Sequence, residues 1–117
     1  MKKIIILISF FAATSSFADC SQFTSMSAML NCIDEEFKIV DRELNEVYQG
    51  LMDGTYLSEA EKKQLRKTQR EWVKLKTKVC LEEADLEAPG NGTNHSLVNT
   101  ACEKRFTEEK LDELKDM

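Results

Sequence analysis

The fold of this chain is decided by one stretch of sequence, MSAMLNCIDEEFKIVDRELNEVYQGL, which covers residues 26–51. Its apolar residues recur at alternating intervals of four and three, a spacing that places them on one side of an α-helix. They are Met26, Leu30, Ile33, Phe37, Val40, Leu44, Val47 and Leu51. Thr24 or Ser25 can cap the start of this helix, while Gly50 and Gly54 weaken its end. The stretch predicts a long first helix with one buried seam.

A second helix is predicted to follow a short turn. Ser58 and Glu61 have the spacing of a capping box, in which each side chain accepts a hydrogen bond from a backbone N–H at the start of the helix. The turn, residues 53–57, is so short that the second helix must lie antiparallel to the first. Its apolar seam is predicted to consist of Leu65, Thr68, Trp72, Leu75 and Val79.

Turn-forming residues dominate the next segment, residues 84–100, which contains the only proline, Pro89, together with Gly90 and Gly92. Such a run predicts the longest loop of the chain. A third helix is predicted over about residues 96–115, with a less regular apolar side. Since no strand-like alternation occurs outside the first 18 residues, the predicted fold class is all-α: a small antiparallel helical hairpin plus a third helix, stabilised by two disulfides.

Residues 1–18 have the layout of a secretory signal peptide. Two lysines precede an apolar run over residues 4–13, and small or polar residues lead to Ala18. The apolar run is too short to span a bilayer, so cleavage after Ala18 is predicted. Attachment of lipid to the nearby Cys20 is disfavoured, because the acidic Asp19 occupies a position that would require a small residue. The expected location is the periplasm or the exterior of the cell.

The charge of the remaining domain, residues 19–117, restricts its partners. It holds 14 Lys and Arg against 21 Asp and Glu, a net charge of −7. A surface of this sign repels phosphate backbones, which argues against nucleic acid. The sequence also shows no obvious basic stripe for an anionic lipid surface, and no membrane insertion is expected after removal of the signal. A basic protein fits better as a partner.

The four cysteines all follow the predicted cleavage point. An even number in an exported protein predicts two disulfides, and the absence of close pairs argues against a zinc site. The favoured pairing joins Cys20 to Cys32 and Cys80 to Cys102. The rival pairing joins Cys32 to Cys80 and Cys20 to Cys102. Its longer loops would be favoured by chain entropy by only about 1 kcal/mol for each bridge, which is too little to decide. The positions of the cysteines favour the Cys20–Cys32 and Cys80–Cys102 pairing. Cys32 and Cys80 adjoin seam residues and so lie off the seam, where they would not meet across the two helices.

Neither catalysis nor cofactor binding is predicted. His95 is the only histidine and has no evident nucleophile beside it, and the many carboxylates are typical of solvated helix faces. The loop between Cys80 and Cys102 is a candidate binding element because a disulfide would hold both of its ends. The alternative is a plain connector with a solvated His95. The partner-binding candidates are Asp85, Glu87, Asn91, Asn94, His95 and Ser96.

Trp72 is predicted to be a core residue, since it continues the seam of the second helix. Gln69 and Arg70 are polar residues beside this core face. They can bond across to Asp41 or Asn45 on the first helix.

An ordered set of residues carries a family resemblance. The set consists of Cys32, Asp41, Leu44, Asn45, Tyr48, Leu51, Met52, Leu65, Arg66, Gln69, Arg70, Trp72, Cys80, Gly90, Gly92, Cys102 and Thr107. It resembles the LprI-like lysozyme inhibitor N-terminal domain over nearly all of the chain after the signal. Lys110 departs from the pattern, which would have an arginine there. The resemblance implies an exported, disulfide-stabilised helical domain and, for some members, inhibition of lysozyme.

The leading functional hypothesis is therefore inhibition of a strongly basic lysozyme by occlusion, with the loop at residues 85–96 covering the catalytic cleft. The alternative is a cell-envelope interaction or structural module that does not bind lysozyme. An enzyme acting on envelope polymers is the weakest alternative, because no catalytic set is present.

Overall fold

The computed structural model describes residues 20–117, and the predicted signal peptide lies outside them. After a short 3₁₀ turn at Cys20–Gln22 come three helices, α1 (Met26–Asp53), α2 (Glu59–Glu87) and α3 (Thr93–Lys115). No strand occurs in this part of the chain. The predicted all-α class is confirmed. None of the three helices combines the length and the hydropathy that a membrane-spanning segment needs.

The ends of α1 follow the predicted signals. The Ser25 hydroxyl accepts a hydrogen bond from the Ala28 N–H at 3.1 Å and so caps the first turn. At the other end, the Gly54 N–H donates to the Gly50 carbonyl at 3.0 Å. A Cβ at position 54 would approach that carbonyl oxygen to 2.9 Å, so the close return of the chain at this point favours glycine.

The predicted capping box at the start of α2 is confirmed. The Ser58 hydroxyl accepts from the Glu61 N–H at 3.1 Å, and the Glu61 carboxylate accepts from the Ser58 N–H at 2.9 Å. The backbone hydrogen bond from Ser58 lowers the pKa of Glu61 below its usual value of 4.5, and the bond with the Ser58 side chain lowers it further.

This lowered pKa makes the contribution of Glu61 to stability dependent on pH. Because the folded-state pKa lies below the unfolded value of 4.5, the carboxylate stabilises the fold above pH 4.5 and loses this effect as the pH falls through the folded-state pKa. We expect Glu61→Gln to lower the melting temperature at pH 7, with the deficit shrinking below pH 4.5. Thermal melts of both proteins across this range measure the effect, and a deficit that does not vary with pH would contradict it.

Helix α3 joins the other two helices. It packs along α1 and, less extensively, along α2, whereas α1 and α2 approach each other closely at few points. Lys104 and Lys115 of α3 pair with Glu36 and Glu43 of α1 at 3.4 and 2.8 Å, which shows that these two helices run parallel. Helix α2 is antiparallel to both of them.

The large apolar side chains gather near the turn between α1 and α2. The buried cluster consists of Val40, Leu44, Leu57, Leu65, Leu111 and Leu114. Trp72 and Tyr48 are half-buried and pack against it. At the opposite end the buried residues of α2 and α3 are small, and the disulfide between Cys80 and Cys102 crosses their contact.

Both disulfides have the favoured pairing. Cys20 bonds to Cys32 and Cys80 bonds to Cys102, with Cα atoms 5.6 and 5.4 Å apart, and the rival pairing is not formed. The first bridge holds the 3₁₀ turn against α1. The second joins α2 to α3.

The prediction of a long loop over residues 84–100 is wrong, because only residues 88–92 separate α2 from α3. Ala84 is fully buried within α2. The third helix begins three residues before the predicted start, with Gly92 at its N-cap, and the Ser96 N–H donates to the Gly92 carbonyl. Thr and Asn residues, which predict turns in this segment, are also favoured around helix N-termini.

The predicted seam of α2 is also partly wrong. Leu75 is 53% exposed, whereas Lys76, Cys80 and Ala84 are buried. These three residues recur every four positions, and the small side chains of Cys80 and Ala84 face the side of α2 that meets α3.

Candidate functional site

The turn between α2 and α3 is flanked by a disulfide and by a side-chain contact between the two helices. We call residues 85–96 the tip, and the Cys80–Cys102 disulfide lies beside it. His95 Nε2 lies 2.8 Å from Asp85 Oδ1, so the first turn of α3 is tied to the last turn of α2. The His95 side chain is only 13% exposed. The expectation of a solvated loop histidine is therefore wrong, and two predicted partner-binding residues contact each other.

Several other residues of the tip face solvent. Glu87, Asn91 and Asn94 are exposed, whereas Ser96 is half-buried. Leu86 is 84% exposed, more than any other large apolar residue in the described part of the chain, and it stands among the carboxylates of Asp85 and Glu87. The prediction missed Leu86. Its isolation among acidic residues was the available signal.

A concave surface lies between α1 and α2, and we call it the interhelical groove. It has a volume of about 260 Å³. Helix α1 contributes Asp41, Leu44, Asn45 and Tyr48. Helix α2 contributes Arg66, Gln69, Arg70, Trp72, Val73 and Lys76. Most of these residues belong to the set that carries the family resemblance, so the fold brings together in space what was an ordered but dispersed pattern.

The polar side chains of the interhelical groove do not pair with one another. The side chains of Asp41, Asn45, Arg66 and Arg70 form no hydrogen bond or ion pair with any residue between 20 and 117. The Gln69 Oε1 atom is buried and has no hydrogen-bond partner in that range. The predicted bonds from Gln69 and Arg70 to Asp41 or Asn45 are therefore absent. Asn45, Arg66 and Arg70 are exposed and can bond to water, whereas the buried Gln69 Oε1 is the one polar atom of this set left unsatisfied.

Lysine ammonium groups surround the indole ring of Trp72. The Lys76 Nζ lies 4.8 Å from the centre of the Trp72 ring and 5.5 Å from that of Phe37. The Lys110 Nζ lies 5.9 Å from the Trp72 ring and 3.2 Å from a Glu113 oxygen. Cation–π attraction of this kind helps to compensate for the burial of a lysine. The ammonium group of Lys110, the residue that departs from the family pattern, therefore lies close to the Trp72 ring.

One cluster of metal-ligand residue types occurs within residues 20–117, formed by Cys20, Cys32 and Glu36. Its two sulfur atoms are bonded to each other, which removes the thiolates that a metal would need. This cluster is therefore a structural disulfide beside a carboxylate.

Comparison with known proteins supplies the family. The model of the family described as lysozyme inhibitor LprI matches residues 18–114. An uncharacterized protein of Rhizobium meliloti (strain 1021) is 29% identical over 112 residues, which cover 85% of this chain and 78% of the relative. No solved structure matches. Because the family model spans most of the chain, including both disulfides, α1, α2 and all but the last residue of α3, the chain belongs to the LprI lysozyme inhibitor family.

Proposed function

We propose that this protein is exported and inhibits lysozyme by covering the catalytic cleft with its tip. The observation that carries the proposal is the match of the inhibitor family over residues 18–114. Two disulfides support export, because such bonds persist in oxidising compartments. The proposed signal peptide at residues 1–18 would direct the chain there.

The charge of the domain suits this target. Residues 19–117 carry a net charge of −7, and a strongly basic enzyme would be attracted to them over a distance of about the Debye length. The carboxylates of Asp85 and Glu87 place part of this charge on the tip. Long-range attraction of this kind raises the association rate and fades with added salt.

The tip has features of an inhibitory element. Leu86 offers an exposed apolar anchor, and burying a leucine side chain in a complex contributes about 1.5 to 3 kcal/mol. Asn91 and Asn94 offer hydrogen-bonding groups to the enzyme. The Cys80–Cys102 disulfide and the contact between His95 and Asp85 hold the tip in one conformation, so little conformational entropy is lost on binding.

A turbidity assay with an animal lysozyme and the purified disulfide-bonded protein tests the proposal. We expect inhibition that weakens between low and physiological salt. Leu86→Asp should raise the inhibitor concentration needed for half-inhibition by about tenfold or more, because it removes the apolar anchor.

The matched control is Leu75→Asp, which alters another exposed leucine of the same helix, away from the tip. It should leave inhibition unchanged. Equal effects of the two variants would show that the tip is not the contact surface. Absence of both inhibition and binding would instead favour an envelope interaction module.

A further inference from the structure

The interhelical groove contains a cation, carried by a mostly buried side chain, that no acidic residue neutralises. Lys76 is 8% exposed, and no carboxylate between residues 20 and 117 pairs with it. Its ammonium group contacts the Trp72 and Phe37 rings, which attract it but cannot neutralise its charge. Of the unpartnered side-chain polar atoms in residues 20–117, only Gln69 Oε1 is fully buried, so the Lys76 ammonium still reaches solvent and is open to an anion in the groove.

Two further cations line the α2 side of the groove, where Lys76 also lies. Arg66 and Arg70 are one helical turn apart on α2, both line the groove, and neither is paired within the described chain. Cations elsewhere on the described surface differ in this respect: Arg105 pairs with Glu83 at 3.1 Å and Lys115 with Glu43 at 2.8 Å, whereas Arg42 is unpaired too. A guanidinium group matches the two oxygens of a carboxylate, so this wall suits a carboxylate ligand.

The opposite wall carries the other sign of charge. Asp41 of α1 lines the groove but comes within ion-pair distance, 4.0 Å, of none of these cations. Asn45 on the same wall and the buried Gln69 Oε1 supply unpaired amide groups. These acceptors suit an ammonium group, which has three N–H donors and no acceptor.

The groove is open to solvent, and the part of a ligand that it can enclose is small. Its volume of about 260 Å³ is below the range of about 300 to 1,000 Å³ that is typical of sites for drug-sized ligands. Leu44, Tyr48 and Val73 provide apolar surface beside the charged groups. A side chain of moderate size can be accommodated there.

From these observations we propose that the interhelical groove binds a free amino acid with an apolar side chain. Its carboxylate pairs with Lys76 and Arg70, and its ammonium group donates to Asp41 and the Gln69 carbonyl. The apolar side chain packs against Tyr48 and Val73. The site is separate from the tip, so this binding does not depend on lysozyme inhibition.

Titration with L-leucine tests the assignment, using the fluorescence of Trp72, the only tryptophan of the chain and a lining residue of the groove. We expect a saturable change in emission. The dissociation constant should be at least about tenfold lower than for 4-methylpentanoate, which lacks the ammonium group, or for isopentylamine, which lacks the carboxylate. Inorganic phosphate should bind more weakly than leucine.

Three variants locate the binding. Asp41→Asn, Arg70→Gln and Lys76→Met should each raise the dissociation constant for leucine by about tenfold or more. The control is Arg42→Gln, which removes an exposed arginine of α1 that does not line the groove. Thermal melts check that each variant folds. Asp41 and Arg70 are not buried, so these two variants keep the test decisive if Lys76→Met is unstable.

Three outcomes would overturn the proposal. The first is the absence of a saturable change, confirmed by calorimetry, up to about 10 mM leucine. The second is equal binding by the control and the Asp41 and Arg70 variants. The third is tighter binding of phosphate or of 4-methylpentanoate, which would assign the groove to a simple anion.

Discussion

Replacing Trp72 with alanine is expected to lower the free energy of unfolding by about 3 kcal/mol. Losses of about 3 to 5 kcal/mol are typical when a packed aromatic side chain is removed from a core. The lower end applies here because one side of the ring lines the groove, while the remainder packs on the apolar cluster. The variant also leaves the Lys76 ammonium without its nearest aromatic contact, at 4.8 Å.

Circular dichroism during urea unfolding measures this loss without relying on tryptophan emission. The control is Trp72→Phe, which keeps an aromatic ring and an apolar contact with the cluster. We expect it to cost less than the alanine variant. Since a domain of this size has a total stability of about 5 to 15 kcal/mol, an unchanged unfolding midpoint for Trp72→Ala would show that the residue is not structural.

Removing the Cys80–Cys102 disulfide by replacing both cysteines with alanine is expected to cost about 3 kcal/mol or more. The chain-entropy relation gives roughly 3.4 kcal/mol for a separation of 22 residues. Both cysteines are fully buried, at 0% and 1% exposure, so the loss of sulfur contacts adds to the entropic effect. The melting temperature of the variant should fall accordingly.

The matched control replaces Cys20 and Cys32 with alanine. Its separation of 12 residues gives roughly 2.8 kcal/mol from chain entropy, only about 0.6 kcal/mol less. However, this bridge holds a short 3₁₀ turn in which no residue is buried. We therefore expect the observed difference between the two variants to exceed the entropic difference. Equal losses would show that the packing around Cys80 and Cys102 contributes nothing.

The helices could be predicted because their signals are local. The three-four spacing of α1 and the Ser58–Glu61 capping box depend only on nearby residues, and both are confirmed. The segment after α2 was harder to interpret. Asn94 and Ser96 are compatible with either a loop or the first turn of a helix, and local preference does not distinguish these states.

The buried side of α2 depends on its contact with α3, and hydrophobicity alone did not reveal it. Leu75 fitted the apolar spacing and is exposed, whereas Lys76 is buried, which is rare for lysine. The disulfide pairing was correct, yet one reason for it was not. Cys80 lies on the buried side of α2, where it meets α3, rather than beside a buried seam.

One of the two surfaces described above could be predicted from the sequence, and the other could not. Turn formers bracketed by two cysteines predict the tip as a binding element, and the loop predicted over residues 84–100 is longer than the observed turn at residues 88–92. The interhelical groove was not anticipated as a site, because it requires the register between α1 and α2. The sequence predicts a bond from Arg70 to Asp41 or Asn45, and only the three-dimensional arrangement shows Asp41 and Arg70 unpaired on facing sides of the groove.

The uneven distribution of large apolar side chains affects which substitutions this protein can tolerate. The leucine cluster lies at one end, and the tip end is secured by a covalent bond and by small residues such as Ala84 and Ala88. Exposed tip residues such as Leu86 and Asn91 contribute little to folding, so mutations there carry little risk of unfolding the domain. Substitutions at these exposed positions are therefore expected to leave the scaffold intact.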